Sequence, residues 1–333
     1  MSEVTTTDLY EVTMSMSYLR EGMRAPATFS LFVRDLPPDR GFLVAAGLEP
    51  SLDYLSRFRV GPHDVEEFAE ALHRPASDLE PLLGLGFDGE VRAVPEGRVV
   101  FAGEPLLEVT APLPQAQLVE TYLLTQLCHQ TAVASKAARC VIAAAGRPLV
   151  DFSLRRTHGP QAGFQAARLG AMVGFAGTSN VAAATSLGIP ASGTMAHSYI
   201  EAFPGEEEAF RGFARAHPGP VTFLVDTYDT DGGVAIAARV LKELGRGPGC
   251  GIRLDSGDLG LSRAGRGTFS TQPGSRTSAS SPAVAWTSTQ WTSSCGPTPR
   301  STCMRWVPAS AWPRTLPTST RRTNWWSTTG GRS

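Results

Sequence analysis

The ten residues "VTFLVDTYDT", 221–230, decide how this chain folds. An apolar and β-branched run, Val221 to Val225, passes straight into acidic and hydroxyl residues, the pattern of a buried strand emptying into a loop. A helical stretch over 232–244 follows, and then a second unit of the same kind, "GIRLDSGD" at 251–258. Working back toward the N-terminus, the pattern recurs three times. "IPASGTMAHS" (189–198) precedes a helix near 206–216, "VGFAGTSN" (173–180) one over 180–187, and "LVDFSLRR" (149–156) one over 163–173. Repeated strand-then-helix units predict a parallel sheet, closed or open.

Upstream the pattern is different. "TTTDLYEVTMSMSYLREG" (5–22) carries Thr and Asp where a helix is capped, apolar residues at Leu9, Val12, Met16 and Leu19, and a Gly that stops it. "ATFSLFVRDLP" and "GFLVAAG" are strand-like, "LEPSLDYLSRF" is helical, and residues 87–110 alternate short β runs with Gly and Pro turns. Residues 115–145 read as two helices. The expected organisation is an N-terminal α/β domain over 1–130, an α/β barrel over 131–263 and a separate tail over 264–333.

At 333 residues with 42% apolar side chains, the chain can bury two cores of ordinary domain size. The N-terminus lacks a basic region followed by an apolar core, and no run reaches the ~20 apolar residues of a membrane span. A cytoplasmic enzyme is the expectation. Five scattered cysteines have neither zinc-site spacing nor the even count of a disulfide framework.

Charge divides the chain. The first 263 residues hold all 31 acids and 22 of the 30 basic residues, a net of −9. Residues 264–333 hold 27 Ser or Thr, all six Trp, eight Arg, no Lys and no acid. The overall −1 therefore averages two unlike halves and says little about partners.

Chargeable and hydroxyl residues recur at strand ends: Arg155, Arg156 and His158; Thr178 and Ser179; Thr194 and His197; Asp226 and Asp229; Arg253, Asp255 and Asp258. In an α/β barrel those ends form the active-site rim. Helix capping alone explains Thr178, Ser179 or Asp229, but explains the paired Arg and the acids of "RLDSGD" poorly.

Six motifs in this order, "TDLYEVTM", "DFSLRRTHGP", "GTSN", "GTMAHSYI", "FLVDTYDT" and "GIRLDSGDL", resemble nicotinate phosphoribosyltransferase over residues 5 to about 262. The resemblance implies an irregular α/β barrel of the type II phosphoribosyltransferase kind with an N-terminal α/β domain, working as a homodimer. Here the barrel is expected to be incomplete at its C-terminal end. The implied reaction joins nicotinate to phosphoribosyl pyrophosphate with coupled ATP hydrolysis, giving nicotinate mononucleotide and pyrophosphate in NAD biosynthesis. Mg²⁺ is the implied cofactor and ATP a co-substrate; neither a nucleic-acid nor a membrane partner is implied.

The resemblance also suggests roles. Nicotinate is a flat anion, so Tyr10, reaching in from the partner subunit, and Phe152 can supply aromatic faces, while Arg155 clamps the carboxylate. Thr194 contacts the ring or carboxylate. Ser179 stands where nicotinamide-using relatives carry Asp, and a neutral hydroxyl favours the acid. His197 resembles the histidine phosphorylated from ATP, since imidazole is a competent nucleophile at neutral pH. Asp255 and Asp258 suit ribose hydroxyls and Mg²⁺, Arg253 suits pyrophosphate, and Asp226 and Asp229 are further metal or ribose candidates. One departure is Ser153, where the family usually shows Gly.

Past "LDSGDL" the family continues with segments like "SGGLDE" and "GVGT", whose backbone amides hold a 5′-phosphate. Neither appears. Read from the third base of each codon, however, Trp286 with Thr287 forces Asp, Trp306 with Val307 forces Gly, and Trp325 with Trp326 forces Val. Synonymous choices then turn "PAVAWTSTQW" into SGGLDEYAV and "MRWVPAS" into AVGTRI. The tail is thus expected to be a frameshifted barrel end beginning near residues 261–265, and the chain as written to be inactive or nearly so. A basic disordered extension fits six Trp less well. Other readings of the whole are a nicotinamide or quinolinate phosphoribosyltransferase, or a catalytically dead barrel serving as a binding or partner subunit.

Overall fold

The computed structural model describes residues 2–36 and 40–255, and the backbone of 304–308. The chain divides into two compact units, one ending at Cys140 and joined by 304–308, the other beginning at Val141.

The first unit is built on an antiparallel sheet. Its strands are β1 (Pro26–Val33), β3 (Glu90–Ala93) and β5 (Pro105–Pro112), while β2 (Leu43–Val44) and β4 (Val99–Val100) pair with each other in a separate two-stranded antiparallel ladder. Period-2 alternation along β5 turns Leu107, Val109 and Ala111 inward. They join Leu31 of β1 in a core with Leu79, Leu82, Val119 and Leu123. Around it lie α1 (Leu9–Arg20), α2 (Leu48–Arg57), α3 (Pro62–Leu72), α4 (Leu113–Leu118) and the long α5 (Glu120–Ala144).

The expected helix over 5–22 and the pair over 115–145 appear as α1, α4 and α5. The α3 helix carries no expectation from the sequence. Pro62 opens it, and the Asp64 carboxylate accepts from the Gly61 N–H at 2.7 Å. Before α2, Gly47 sits at φ 98°, where its own amide and that of Leu48 both donate to Glu96 Oε1, at 2.6 and 2.9 Å. A side chain there would lie 2.6 Å from the Gln126 carbonyl oxygen, so both conformation and space require glycine.

The second unit carries the parallel pairs that the sequence predicts. β6 (Val150–Asp151) runs parallel to β7 (Gly177–Thr178) across α6 (Pro160–Met172). After α7 (Val181–Leu187), α8 (His197–Glu201) and α9 (Glu206–Ala216), β8 (Thr222–Leu224) runs parallel to β9 (Gly251–Arg253) across α10 (Thr230–Glu243). Phe210 of α9 stacks on Phe223 of β8 at 4.7 Å, inside a core that includes Val225, Val234, Ala237 and Val240.

The strands are shorter than expected. "LVDFSLRR" gives only two strand residues because Asp151 Oδ1 accepts from the Ser153 N–H at 2.9 Å, turning the chain into a 3-10 helix over Leu154–Arg156. Ser153 adopts φ −82°, ψ −19°, open to any residue, so the backbone of this turn does not need the family's Gly, although the Ser153 hydroxyl is buried without a hydrogen-bond partner. "IPASGTMAHS" forms no strand but a single bridge of Ala191 to Thr178, because Pro190 cannot donate to a ladder.

One further strand lies in the tail. β10 (Met304–Pro308) pairs antiparallel with β1, making the order β10-β1-β5-β3. β10 occupies the "MRWVP" of the segment that a frame change would turn into AVGTRI, while the rest of the tail, including "PAVAWTSTQW", falls outside the described residues. Among the described residues, no helix is long and apolar enough to cross a membrane.

Candidate functional site

The ends of β8 and β9 bring the chemistry together. Arg253 closes β9, and its guanidinium reaches Asp255 Oδ1 at 2.6 Å. Its other terminal nitrogen lies 3.4 Å from both Thr194 Oγ1 and the Met195 carbonyl oxygen. The same guanidinium carbon stands 5.3 Å from the centroid of the Phe152 ring, within cation–π range. One arginine thus draws together the ends of β6 and β9 and the segment before α8.

The Asp255 backbone N–H donates to Asp226 Oδ2 at 2.6 Å, tying the ends of the two parallel strands to each other. His197, at the first turn of α8, places Nε2 3.8 Å from Asp255 Oδ2 and Nδ1 3.2 Å from Thr227 Oγ1. Six residues singled out from sequence, Phe152, Thr194, His197, Asp226, Arg253 and Asp255, therefore form one connected constellation. Thr194 is exposed and the other five are part-buried, with 37% of the His197 side chain exposed and 20% of Asp255. Nearby, burial and then the charges of Asp229 and Asp226 push the Glu206 carboxyl above its ordinary range.

Other expected residues stand apart from these contacts. Arg155 lies exposed on the 3-10 turn after β6, and Ser179 is part-buried just after β7. Asp229 caps α10, its carboxylate accepting from the Gly232 N–H at 2.7 Å, so capping accounts for it without a ligand. Asp258 lies outside the described residues. Tyr10 belongs to the first unit, on α1, with 46% of its surface exposed. Burial, then Glu120, Glu11 and Asp8, pushes its phenol well above the usual range, so the ring remains neutral.

Two organising residues carry no sequence expectation. Asp151 accepts from Thr178 Oγ1 at 2.7 Å while its backbone carbonyl accepts from the Ser179 N–H at 2.7 Å, clamping the ends of β6 and β7. Thr227 is the other. Both sit inside quoted motifs, but only the contact across strands reveals their work. Among the described residues, no group of three His, Cys, Asp or Glu forms a ready-made metal cage. Asp226 and Asp255 nonetheless match the one or two carboxylates with which Mg²⁺ is commonly held beside substrate phosphates.

The profile of the nicotinate phosphoribosyltransferase N-terminal domain matches residues 5–128, and that of the nicotinate phosphoribosyltransferase family matches 148–260. The second match stops where the composition of the chain changes. The nicotinate phosphoribosyltransferase pncB2 of Mycobacterium tuberculosis is 47% identical over 267 residues, 80% of this chain and 58% of that protein. The Bacillus subtilis nicotinate phosphoribosyltransferase is 42% identical over 256 residues, 76% of this chain and 52% of that one. A crystal structure of human nicotinic acid phosphoribosyltransferase superposes with TM-score 0.69 at 34% identity, covering 78% of this chain and 62% of that chain. A nicotinate-nucleotide pyrophosphorylase from Pyrococcus furiosus gives TM-score 0.60 at 26% identity, covering 79% and 60%. The matches thus span between half and two thirds of these relatives' lengths.

Proposed function

This chain belongs to the nicotinate phosphoribosyltransferase family and has its type II phosphoribosyltransferase fold, and on that premise we propose that the Arg253 constellation is the reaction centre. It joins nicotinate to the C1 of phosphoribosyl pyrophosphate, with ATP hydrolysis coupled through His197. The observation that supports this most is the convergence of Phe152, Thr194 and Asp255 on one guanidinium.

The chemistry follows from those positions. A flat anion can lie against Phe152, with Arg155 offering a bidentate clamp for its carboxylate and Ser179 a neutral hydroxyl that does not repel it. Arg253 can take up charge on the departing pyrophosphate, and Asp255 can hold ribose hydroxyls. Mg²⁺, when bound by Asp226 and Asp255 with Asp258, would neutralise phosphate charge. Tyr10 would complete the aromatic wall from a second subunit, which makes a homodimer the working form.

The 5′-phosphate of the donor is remote from C1, and remote binding energy orients the reacting centre. With no counterpart of the glycine-rich segments after residue 262, the chain as written is expected to turn over at least ~100-fold more slowly than a version restored to the alternative frame. Both proteins should be assayed chromatographically for nicotinate mononucleotide formed from nicotinate, phosphoribosyl pyrophosphate and ATP. Use of nicotinamide but not nicotinate by the restored protein would overturn the assignment. Equal rates from the two would refute the role given to the missing segments.

A further inference from the structure

We propose that Thr227 is a positioning residue that holds the His197 ring with its proton on Nε2, making Nδ1 the nitrogen that reacts. This rests on the ATP-coupled role of His197 given above and specifies how that residue works. A neutral imidazole has one N–H, and its two nitrogens face unlike groups. Nε2 looks toward a carboxylate oxygen, Asp255 Oδ2, at 3.8 Å. Nδ1 lies 3.2 Å from a hydroxyl, Thr227 Oγ1, which can donate or accept. A proton on Nε2 suits both neighbours: the N–H points at negative charge, and the hydroxyl donates to the Nδ1 lone pair. The opposite tautomer turns a lone pair toward the carboxylate, and the low dielectric of a part-buried site enlarges that penalty.

Arg253 sharpens the asymmetry. It occupies Asp255 Oδ1 at 2.6 Å and fixes the carboxylate, leaving Oδ2 as the oxygen that faces the ring. The Asp255 main chain is fixed in turn by Asp226. The ring thus has a hydroxyl within hydrogen-bond distance of Nδ1 and a carboxylate oxygen facing Nε2 at 3.8 Å.

The step balances without a separate base. The Nδ1 lone pair forms the N–P bond to the γ-phosphoryl group of a nucleoside triphosphate, and the P–O bond to the nucleoside diphosphate breaks, the electron pair leaving with that oxygen. The Nε2 proton stays on the ring. Its new positive charge lies opposite Asp255, and the Thr227 hydroxyl exchanges its hydrogen bond to Nδ1 for one to a phosphoryl oxygen, a near-neutral trade.

The test uses the full chain labelled with ¹⁵N-histidine, at a pH high enough to keep the imidazoles neutral. The chain has six His, and His197→Gln identifies the resonances of residue 197 by their loss. The expected spectrum has an unprotonated Nδ1 and a protonated Nε2. Thr227→Val should shift both nitrogens toward the average of a mixed population, and Thr227→Ser should restore the wild-type values. A wild-type ring protonated on Nδ1, or a Thr227→Val spectrum that does not move, overturns the proposal. With the frame-restored protein and ATP, phosphate should be recovered on Nδ1; recovery on Nε2 also overturns it. Absence of any phosphohistidine there, with the expected tautomer and its dependence on Thr227 intact, rejects the ATP-coupled role while the positioning of the ring stands.

Discussion

Glu11 is fully buried beside the start of α5. Its Oε1 accepts from both the backbone N–H and the hydroxyl of Thr121, at 2.8 and 2.6 Å, and Oε2 accepts from the Thr7 hydroxyl. Those bonds favour the charged form, yet burial outweighs them and moves the carboxyl from an ordinary 4.5 to about 7. The folded state therefore holds this proton more tightly than the unfolded chain. The stabilisation is complete below pH 4.5 and is lost as pH rises through 7, a change on the order of 3 kcal/mol. Glu11→Gln, which keeps the shape and cannot ionise, should lose that dependence and gain on the wild type between pH 5 and 8. Urea midpoints for both proteins at the two pH values test this, and parallel pH slopes would refute it. Neither this behaviour nor the work of Thr227 and Asp151 is legible in sequence, because each depends on a partner far along the chain or across strands. His197, Arg253 and Asp255 are legible, since each ends an apolar run inside an ordered motif.

At the scale of single elements, α10 is bound to β8 by a close approach at Gly233. A Cβ there would lie 2.2 Å from the Val225 carbonyl oxygen and 3.0 Å from its carbon. That neighbour is backbone and cannot rotate away, and Asp226 and Thr227 follow it directly. Gly233→Ala should therefore cost about 1–3 kcal/mol and also disturb the His197 ring. Thermal unfolding reads the first effect and histidine spectra the second; an alanine variant as stable as wild type would show that α10 does not rest on β8 as described. The strand-then-helix order was legible from apolar runs and their polar ends. Strand lengths were not, because an Asp151 side-chain bond and Pro190 end pairing earlier than hydrophobicity does. The α3 and α8 helices are not legible either: α3 begins at a glycine cap, and α8 has only five residues and no periodicity to read.

Over the whole molecule, the change of composition near residue 263 was the most legible feature, and the second family match ends beside it. The strand at 304–308 was not legible, because its partner lies more than 270 positions earlier. With β10 on one side and β5 on the other, β1 is an inner strand, and alternate amides over 29–33 face each neighbour. Deuterium uptake across 29–33 should rise by about tenfold or more at the amides facing β10 when residues 264–333 are removed. Unchanged uptake would mean that 304–308 does not pair there. The register also sets a schedule for synthesis. At roughly 5–20 residues per second, a ribosome needs roughly 15–50 s to travel from Val33 to Met304. For that interval β1 has been made while the strand that covers its outer edge does not yet exist. The nascent chain must hold an unpaired edge through most of its own translation, and the ribosome-bound stage is when it is most open to association with other chains.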